Sequence, residues 1–263
     1  MALETSWARY WTTRDGRSRE RDTWWALDHA KFERLRRCLP SEGVALEVGC
    51  GSARLSGLVG AEGLRAVGLD YCAKATSLAQ ATFVQAGVRG DAVMGDAFRL
   101  PFRDESLDVV LSTGLLEHFE EPGPIVGEMV RVLRPGGLFY SDVVPRKFSL
   151  MCALDGIGKA RNGHDGIPEH ALTSKQLSAL LQRSGLEAVQ VVPAGVFPPR
   201  LPVLGRLRVV REAQGLFCYL TRRLWSALDG TPLAERLGVY YLCLGTRRGA
   251  SSVENDESDG QQD

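Results

Sequence analysis

The sequence predicts an α/β fold: one doubly wound, mostly parallel sheet of seven strands, with a helical insertion just before the last. Three observations predict it. Short apolar runs alternate with amphipathic stretches at βαβ spacing. The runs are apolar almost throughout, as strands covered on both faces are. The first run ends in an acid and two glycines, "LEVGCGSARLSG" from Leu46 to Gly57, at the turn where an open parallel sheet binds its ligands.

The apolar runs "VALEV" 44–48, "LRAVGLD" 64–70, "DAVMGD" 91–96, "LDVVLST" 107–113 and "GLFYSDVV" 137–144 read as the first five strands. "LDHAKFERLRRCL" before them spaces Leu27, Phe32, Leu35 and Leu39 as a helix that stops at Pro40 and packs on the sheet. "CAKATSLAQATFVQAG" and "GPIVGEMVRVLRPGG" are helices with glycine stops, and "TSKQLSALLQRSG" is a capped one. "LEAVQVV" 186–192 and "GVYYLCLGTRR" supply the last two strands. Between them, the proline-rich "VPAGVFPPRLPVLG" leads into the amphipathic "LFCYLTRRLWSAL", whose Leu216, Phe217, Leu220, Leu224, Ala227 and Leu228 form a stripe expected in a core or a dimer face. Residues 1–21 lack periodicity and read as an irregular cap with room for a short helix. The expected organisation is a cap over 1–28, one domain over 29–248 with the insertion at 196–237 as a candidate substrate lid, and a disordered acidic tail over 249–263.

With 44% hydrophobic and 24% charged residues in 263, the chain reads as a soluble globule of about one large domain. Glu4, Arg9 and Arg14 interrupt any leader-like apolar core, so the expected location is the cytoplasm. The six cysteines form no C-x-x-C pair and no zinc spacing, so they read as reduced thiols with no metal. Lys and Arg total 32, as do Asp and Glu, which disfavours nucleic-acid binding on charge alone. The balance is uneven: residues 197–248 hold nine Lys or Arg against three acids.

Gly49 and Gly51 let the backbone turn tightly and let a ligand approach it. A dinucleotide fingerprint would need a third glycine where Arg54 stands, which disfavours a nicotinamide-dependent oxidoreductase. Three acids point to another ligand. Glu47 is placed to meet a cationic or amide-bearing portion, Asp70 at the second strand's end to bind two ribose hydroxyls, and Asp96 at the third strand's end to meet an adenine amino group. Asp70 as a helix cap and Asp96 as a turn former are the structural alternatives.

Together, "LEVGCGSARLSG", "VGLDY", "GDAFRLPF", "LDVVLSTGLLEHF" and "RVLRPGGLFY" closely resemble the class I S-adenosylmethionine-dependent methyltransferases, above all the small-molecule, quinone-biosynthesis-like type 11 group. The resemblance covers residues 29–192 and departs at Ala53, where many relatives carry glycine. It implies a Rossmann-like fold whose last strand is antiparallel, and S-adenosyl-L-methionine as cofactor. Glu47, Gly49 and Gly51 would line the methionine side, Asp70 would hold the ribose with Tyr71 beside the adenine, Asp96 and Ala97 would meet the adenine edge, and the Ser112 backbone would meet the methionine amine.

Methyl transfer needs alignment and exclusion of water, and a general base only where the acceptor is protonated at neutral pH. His118, in the loop after the fourth strand, is the candidate base; the alternative is that it shapes the loop. His164 and His170 could reach the same mouth, and His29 reads as structural. "STGL" stands where amide-nitrogen methyltransferases carry Asn/Asp-Pro-Pro-aromatic, and no Pro-Cys or Thr-Cys occurs, so nucleic acid is disfavoured as acceptor. The expected substrate is a small, apolar or aromatic metabolite, with Trp7, Tyr10, Trp11, Trp24 and Trp25 either walling it or covering a sheet edge. A homodimer, a non-catalytic cofactor-binding scaffold or sensor, and a macromolecular acceptor stay open.

Overall fold

The computed structural model describes residues 2–14, 21–144, 169–170, 172–197 and 207–249. The acidic tail beyond 249, His164, Cys152 and the proline-rich 198–206 lie outside them.

Seven strands form one sheet in the order β3-β2-β1-β4-β5-β7-β6: β1 Val44–Val48, β2 Arg65–Asp70, β3 Gly90–Met94, β4 Leu107–Thr113, β5 Leu133–Val143, β6 Leu186–Ala194 and β7 Tyr240–Arg247. β1 to β5 run parallel, while β7 lies antiparallel between β5 and β6. The predicted sheet is observed, antiparallel last strand included. The fifth strand starts earlier than the apolar run suggests, because Leu133 pairs with Leu107 before "RPGG" shifts the register.

Strand alternation splits the core between two faces. Leu46, Val48, Val67, Leu69, Val110 and Phe139 meet α5 (Gly123–Val132) and α6 (Ser174–Arg183) through Ile125, Met129, Leu177 and Leu181. Ala45, Val109, Leu111 and Tyr140 meet α2 (Thr23–Leu35) and α3 (Arg54–Ala61) through Leu27, Phe32, Leu35, Leu55 and Val59. The helix α4 (Ala73–Ala86) closes on Gly87, and its Phe83 packs on Cys50, Ala66 and Ala79. Thr173 and Gln176 form the capping box that starts α6.

Two helices begin before their apolar pattern does. The Asp22 side chain caps α2 by accepting from Trp24 N and Trp25 N at 3.0 and 3.1 Å, so the helix starts at Thr23 and not at Leu27. The cap region contains α1, a 13-residue helix over Ala2–Arg14, longer than its weak periodicity suggests. In the insertion, α7 (Arg208–Ser226) precedes the short α8 (Pro232–Leu237). The stripe on α7 is not core: Leu216, Phe217, Leu220 and Leu224 are exposed, because the helix packs its opposite side on α2.

Among the described cysteines, Cys38 is exposed and Cys50, Cys72, Cys218 and Cys243 are buried, all as free thiols. No described helix is long and apolar enough to cross a membrane, and no group of three His, Cys, Asp or Glu among the described residues could hold a metal.

Lys31 of α2 is 6% exposed and donates to Asp142 Oδ1 of β5 at 2.7 Å, with the Tyr240 ring 5.1 Å away. Removing one partner of a buried pair leaves an uncompensated charge, so Lys31→Ala is expected to lose about 3–5 kcal/mol in denaturant unfolding. Replacing both at once, Lys31→Met with Asp142→Leu, should recover most of that loss; a double variant no more stable than the single would reject the ion-pair account.

Candidate functional site

The strand order reverses between β1 and β4, whose connections leave to opposite faces and open a crevice at their carboxyl ends. The turn after β1 occupies it. Gly49, Gly51 and Ala53 all take positive φ, at 67°, 53° and 53°. Ala53 therefore adds to the family pattern more than a methyl group: a residue with a β-carbon is held in the left-handed region at a cost of roughly 1–2 kcal/mol, and full burial leaves its methyl packed. A β-carbon at Gly49 would lie 2.6 Å from Leu115 Cδ1, and one at Gly51 would run into the Trp11 ring. The turn is thus walled by the loop after β4 on one side and by α1 on the other.

Asp70 closes β2 beside this turn. Its Oδ2 accepts from Gly51 N and its Oδ1 from Cys72 N, each at 2.9 Å. Each oxygen keeps acceptor capacity for another donor. The carboxylate both shapes the turn and can bind a pair of vicinal hydroxyls. Burial raises its pKa, opposed by the backbone bonds.

Glu47 behaves differently. It is 1% exposed, its Oε2 accepts from Ser56 N at 3.1 Å and from the Ser56 hydroxyl, and its Oε1 accepts from Thr113 Oγ1 at 3.0 Å. Burial pushes it up to about 7 against those bonds. Its present partners are therefore α3 and the end of β4, and a cofactor amine would join an already occupied carboxylate. Ser56 and Thr113, which complete this arrangement, had no signal in the sequence beyond being hydroxyls near strand ends.

Asp96 is exposed and its Oδ1 accepts from Phe98 N at 2.9 Å, the turn-forming geometry, with Ala97 half-buried beside it. Tyr71 leaves 56% of its surface exposed. The Ser112 side chain is fully buried and bonds Ser141 Oγ at 2.9 Å across β4 and β5, so only its backbone is offered to the crevice.

His118 ends the short 3-10 turn 116–118 after β4 and is half-buried. Its ring meets the edge of Trp7 at 5.0 Å between centroids. Trp7 and Trp11 lie four residues apart on one face of α1, and that face touches both His118 and Gly51. Four helical residues rise only about 6 Å, so α1 roofs the glycine turn and the His118 loop as one cleft. Tyr10 packs edge-on to both tryptophans. Trp25 packs instead on His29 and Tyr219, away from this roof. His170 approaches through its backbone, donating to Glu117 O at 2.5 Å.

Arg54, at the position of a dinucleotide motif's third glycine, pairs with Asp28 of α2 at 2.8 Å, so α3 is held by an ion pair where close glycine packing would serve in that motif. The residues fit an adenosine-bearing cofactor: a positive-φ glycine turn backed by a carboxylate with spare acceptor capacity, and a second carboxylate at the neighbouring strand tip.

The fold and this cleft define a Rossmann-like methyltransferase architecture. Residues 46–141 match the family model described as a methyltransferase domain. Over 68% of its length the chain is 28% identical to a probable S-adenosylmethionine-dependent methyltransferase of Mycolicibacterium smegmatis, covering 64% of that protein. It is 32% identical over 56% of its length to a phthiotriol/phenolphthiotriol dimycocerosates methyltransferase of Mycobacterium ulcerans, covering 48% of it. The chain thus spans under two thirds of these curated relatives. Among solved structures, a SAM-dependent methyltransferase of Thermotoga maritima, titled a possible histamine N-methyltransferase, shares the fold with a TM-score of 0.60 at 17% identity, covering 93% of this chain and 99% of that one.

Glu117, next to His118, is 2% exposed; its Oε1 accepts from Val144 N at 3.3 Å, and its Oε2 has no partner among the described residues. Burial pushes it up to about 8 from an ordinary 4.5. Between those values the folded state holds a proton that the unfolded chain has released, so stability falls as pH rises through that window and levels off above it. Glu117→Gln keeps a neutral group of the same shape. The variant should match the parent's melting temperature near pH 5 and exceed it near pH 9; a difference independent of pH in scanning calorimetry would refute the assignment.

Proposed function

We propose that the chain is an S-adenosylmethionine-dependent methyltransferase acting on a small, apolar or aromatic metabolite. The observation that carries the reading is the single cleft in which the Asp70-backed glycine turn and the His118 loop lie under one aromatic helix. Asp70 holds the ribose hydroxyls, with Tyr71 alongside the adenine and Asp96 and Ala97 at its edge. Gly49 and Gly51 let the backbone meet the methionine portion, the Ser112 backbone takes its amine, and Glu47 stiffens the turn from beneath. The bound cofactor supplies an already activated methyl group on a sulfonium. The protein's part is orientation and exclusion of water, which Trp7, Tyr10 and Trp11 serve by walling the mouth with apolar surface.

Because Trp11 lies against Gly51, α1 has to shift for a ligand to reach the turn, which makes it a lid as well as a wall. Where the acceptor is a hydroxyl, His118 is the base that takes its proton. The apolar wall and the likeness to a methyltransferase named for phthiotriol dimycocerosates support an apolar acceptor. Free, mostly buried thiols suit the cytoplasm as its location.

Calorimetry with S-adenosylmethionine and its demethylated product tests the cofactor assignment. Asp70→Ala should weaken both by about 10–100-fold, the loss of one or two hydrogen bonds to a charged group, with Asp70→Asn intermediate. Absence of binding to the parent protein would reject the enzyme reading. Tight cofactor binding with no turnover across oxygen, carbon and nitrogen acceptors would favour a scaffold or sensor. His118→Gln should lower kcat with hydroxyl acceptors while leaving cofactor affinity unchanged.

A further inference from the structure

We propose that the outward face of α7 docks the protein on an anionic lipid surface. Val209, Leu216, Phe217, Leu220 and Leu224 recur at helical spacing on that face and leave 77%, 48%, 52%, 69% and 72% of their surface in solvent. The inward side is the polar and small one. Gly215 lies against the backbone of Arg21 and Asp22, Cys218 is buried, and Arg222 pairs with Glu33 at 3.0 Å. The helix is therefore anchored with its amphipathicity reversed: a contiguous apolar stripe faces outward from a well-packed base.

Charge selects the occupant. The whole chain is neutral, and the charged residues of α7 beside the stripe are Arg208, Glu212 and Arg223, with Arg222 turned inward onto Glu33. Arg208, Glu212 and Arg223 lie on one flank of the stripe, where Arg208 pairs with Glu212 at 3.0 Å. An apolar stripe bordered by excess arginine is the composition that suits the boundary between acyl chains and anionic head groups.

The placement has a functional consequence. Pro193 of β6 and Val143 of β5 both pair with Tyr241, so the chain leaves β6 and re-enters β7 at the carboxyl edge of the parallel strands. That is the edge on which the glycine turn lies, so α7 attaches to the side of the molecule where the cleft opens. Docking does not depend on the proposed chemistry.

Co-sedimentation of the full chain with vesicles of phosphatidylcholine alone, or of phosphatidylcholine mixed with phosphatidylglycerol, tests it. Binding is expected to the mixed vesicles, to weaken with salt, and to fall by about tenfold or more in Phe217→Ser/Leu220→Ser, whose exposed positions leave the fold intact. Arg208→Glu/Arg223→Glu should lose the preference for the anionic vesicles. No sedimentation of the parent protein with mixed vesicles, or equal sedimentation of the serine variant, would overturn the proposal. So would a dimer in light scattering that dissociates in the serine variant, since a second copy would then cover the stripe. Cofactor affinity unchanged in the serine variant separates this surface from the cleft, and a parent that binds vesicles but no cofactor would leave docking standing while removing the enzyme.

Discussion

The cleft depends on one buried carboxylate. Glu47 sits at the penultimate position of β1, on the side facing α3, and joins Ser56 in the first turn of that helix to Thr113 at the end of β4. The glycine turn is strung between Glu47 and Ser56. A carboxylate buried this deeply is costly unless its oxygens are bonded, and three donors meet the requirement here. The same bonds fix the distance between the two loops that any ligand in the crevice must touch. Hydrophobic packing alone would not set that distance, because leucines on a sheet face tolerate small slides while hydrogen bonds do not.

A second set of contacts extends outward from the turn. Arg54, immediately after it, is held by Asp28 of α2. On the same helix, five residues further on, Glu33 holds Arg222 of α7, and three residues before Asp28 the Trp25 ring packs tilted against Tyr219 at 4.5 Å between centroids. The surface helix and the glycine turn thus share α2 as a common support. This is a continuous mechanical connection, and energetic coupling along it is a separate matter that needs its own measurement.

The sheet was legible in the sequence because parallel strands buried on both faces leave uninterrupted apolar runs. "VALEV" and "LDVVLST" match β1 and β4 at both ends. That Asp70 and the glycines meet at one turn was legible because both stand at strand tips that open on the same crevice. The sequence singles out Glu47 but not its partners: Ser56 and Thr113 are 9 and 66 residues away from it, and nothing in a local pattern encodes a long-range bond. The start of α2 was missed for a different reason. Its first turn is set by the Asp22 cap and two tryptophans, which carry no amphipathic period.

The insertion shows why periodicity reveals a helix more readily than it reveals the helix's neighbours. The apolar stripe of α7 is real, and the usual expectation sends such a stripe inward. Gly215 reverses it. A β-carbon there would run into the backbone at Arg21 and Asp22, so α7 can approach the start of α2 this closely only on its glycine side, and Cys218 follows inward one turn later. Once that side is chosen, Leu216, Leu220 and Leu224 must point away from the protein. The residue that decides the orientation is therefore the smallest one in the helix, and hydrophobicity, which carries the pattern, has no weight in the decision.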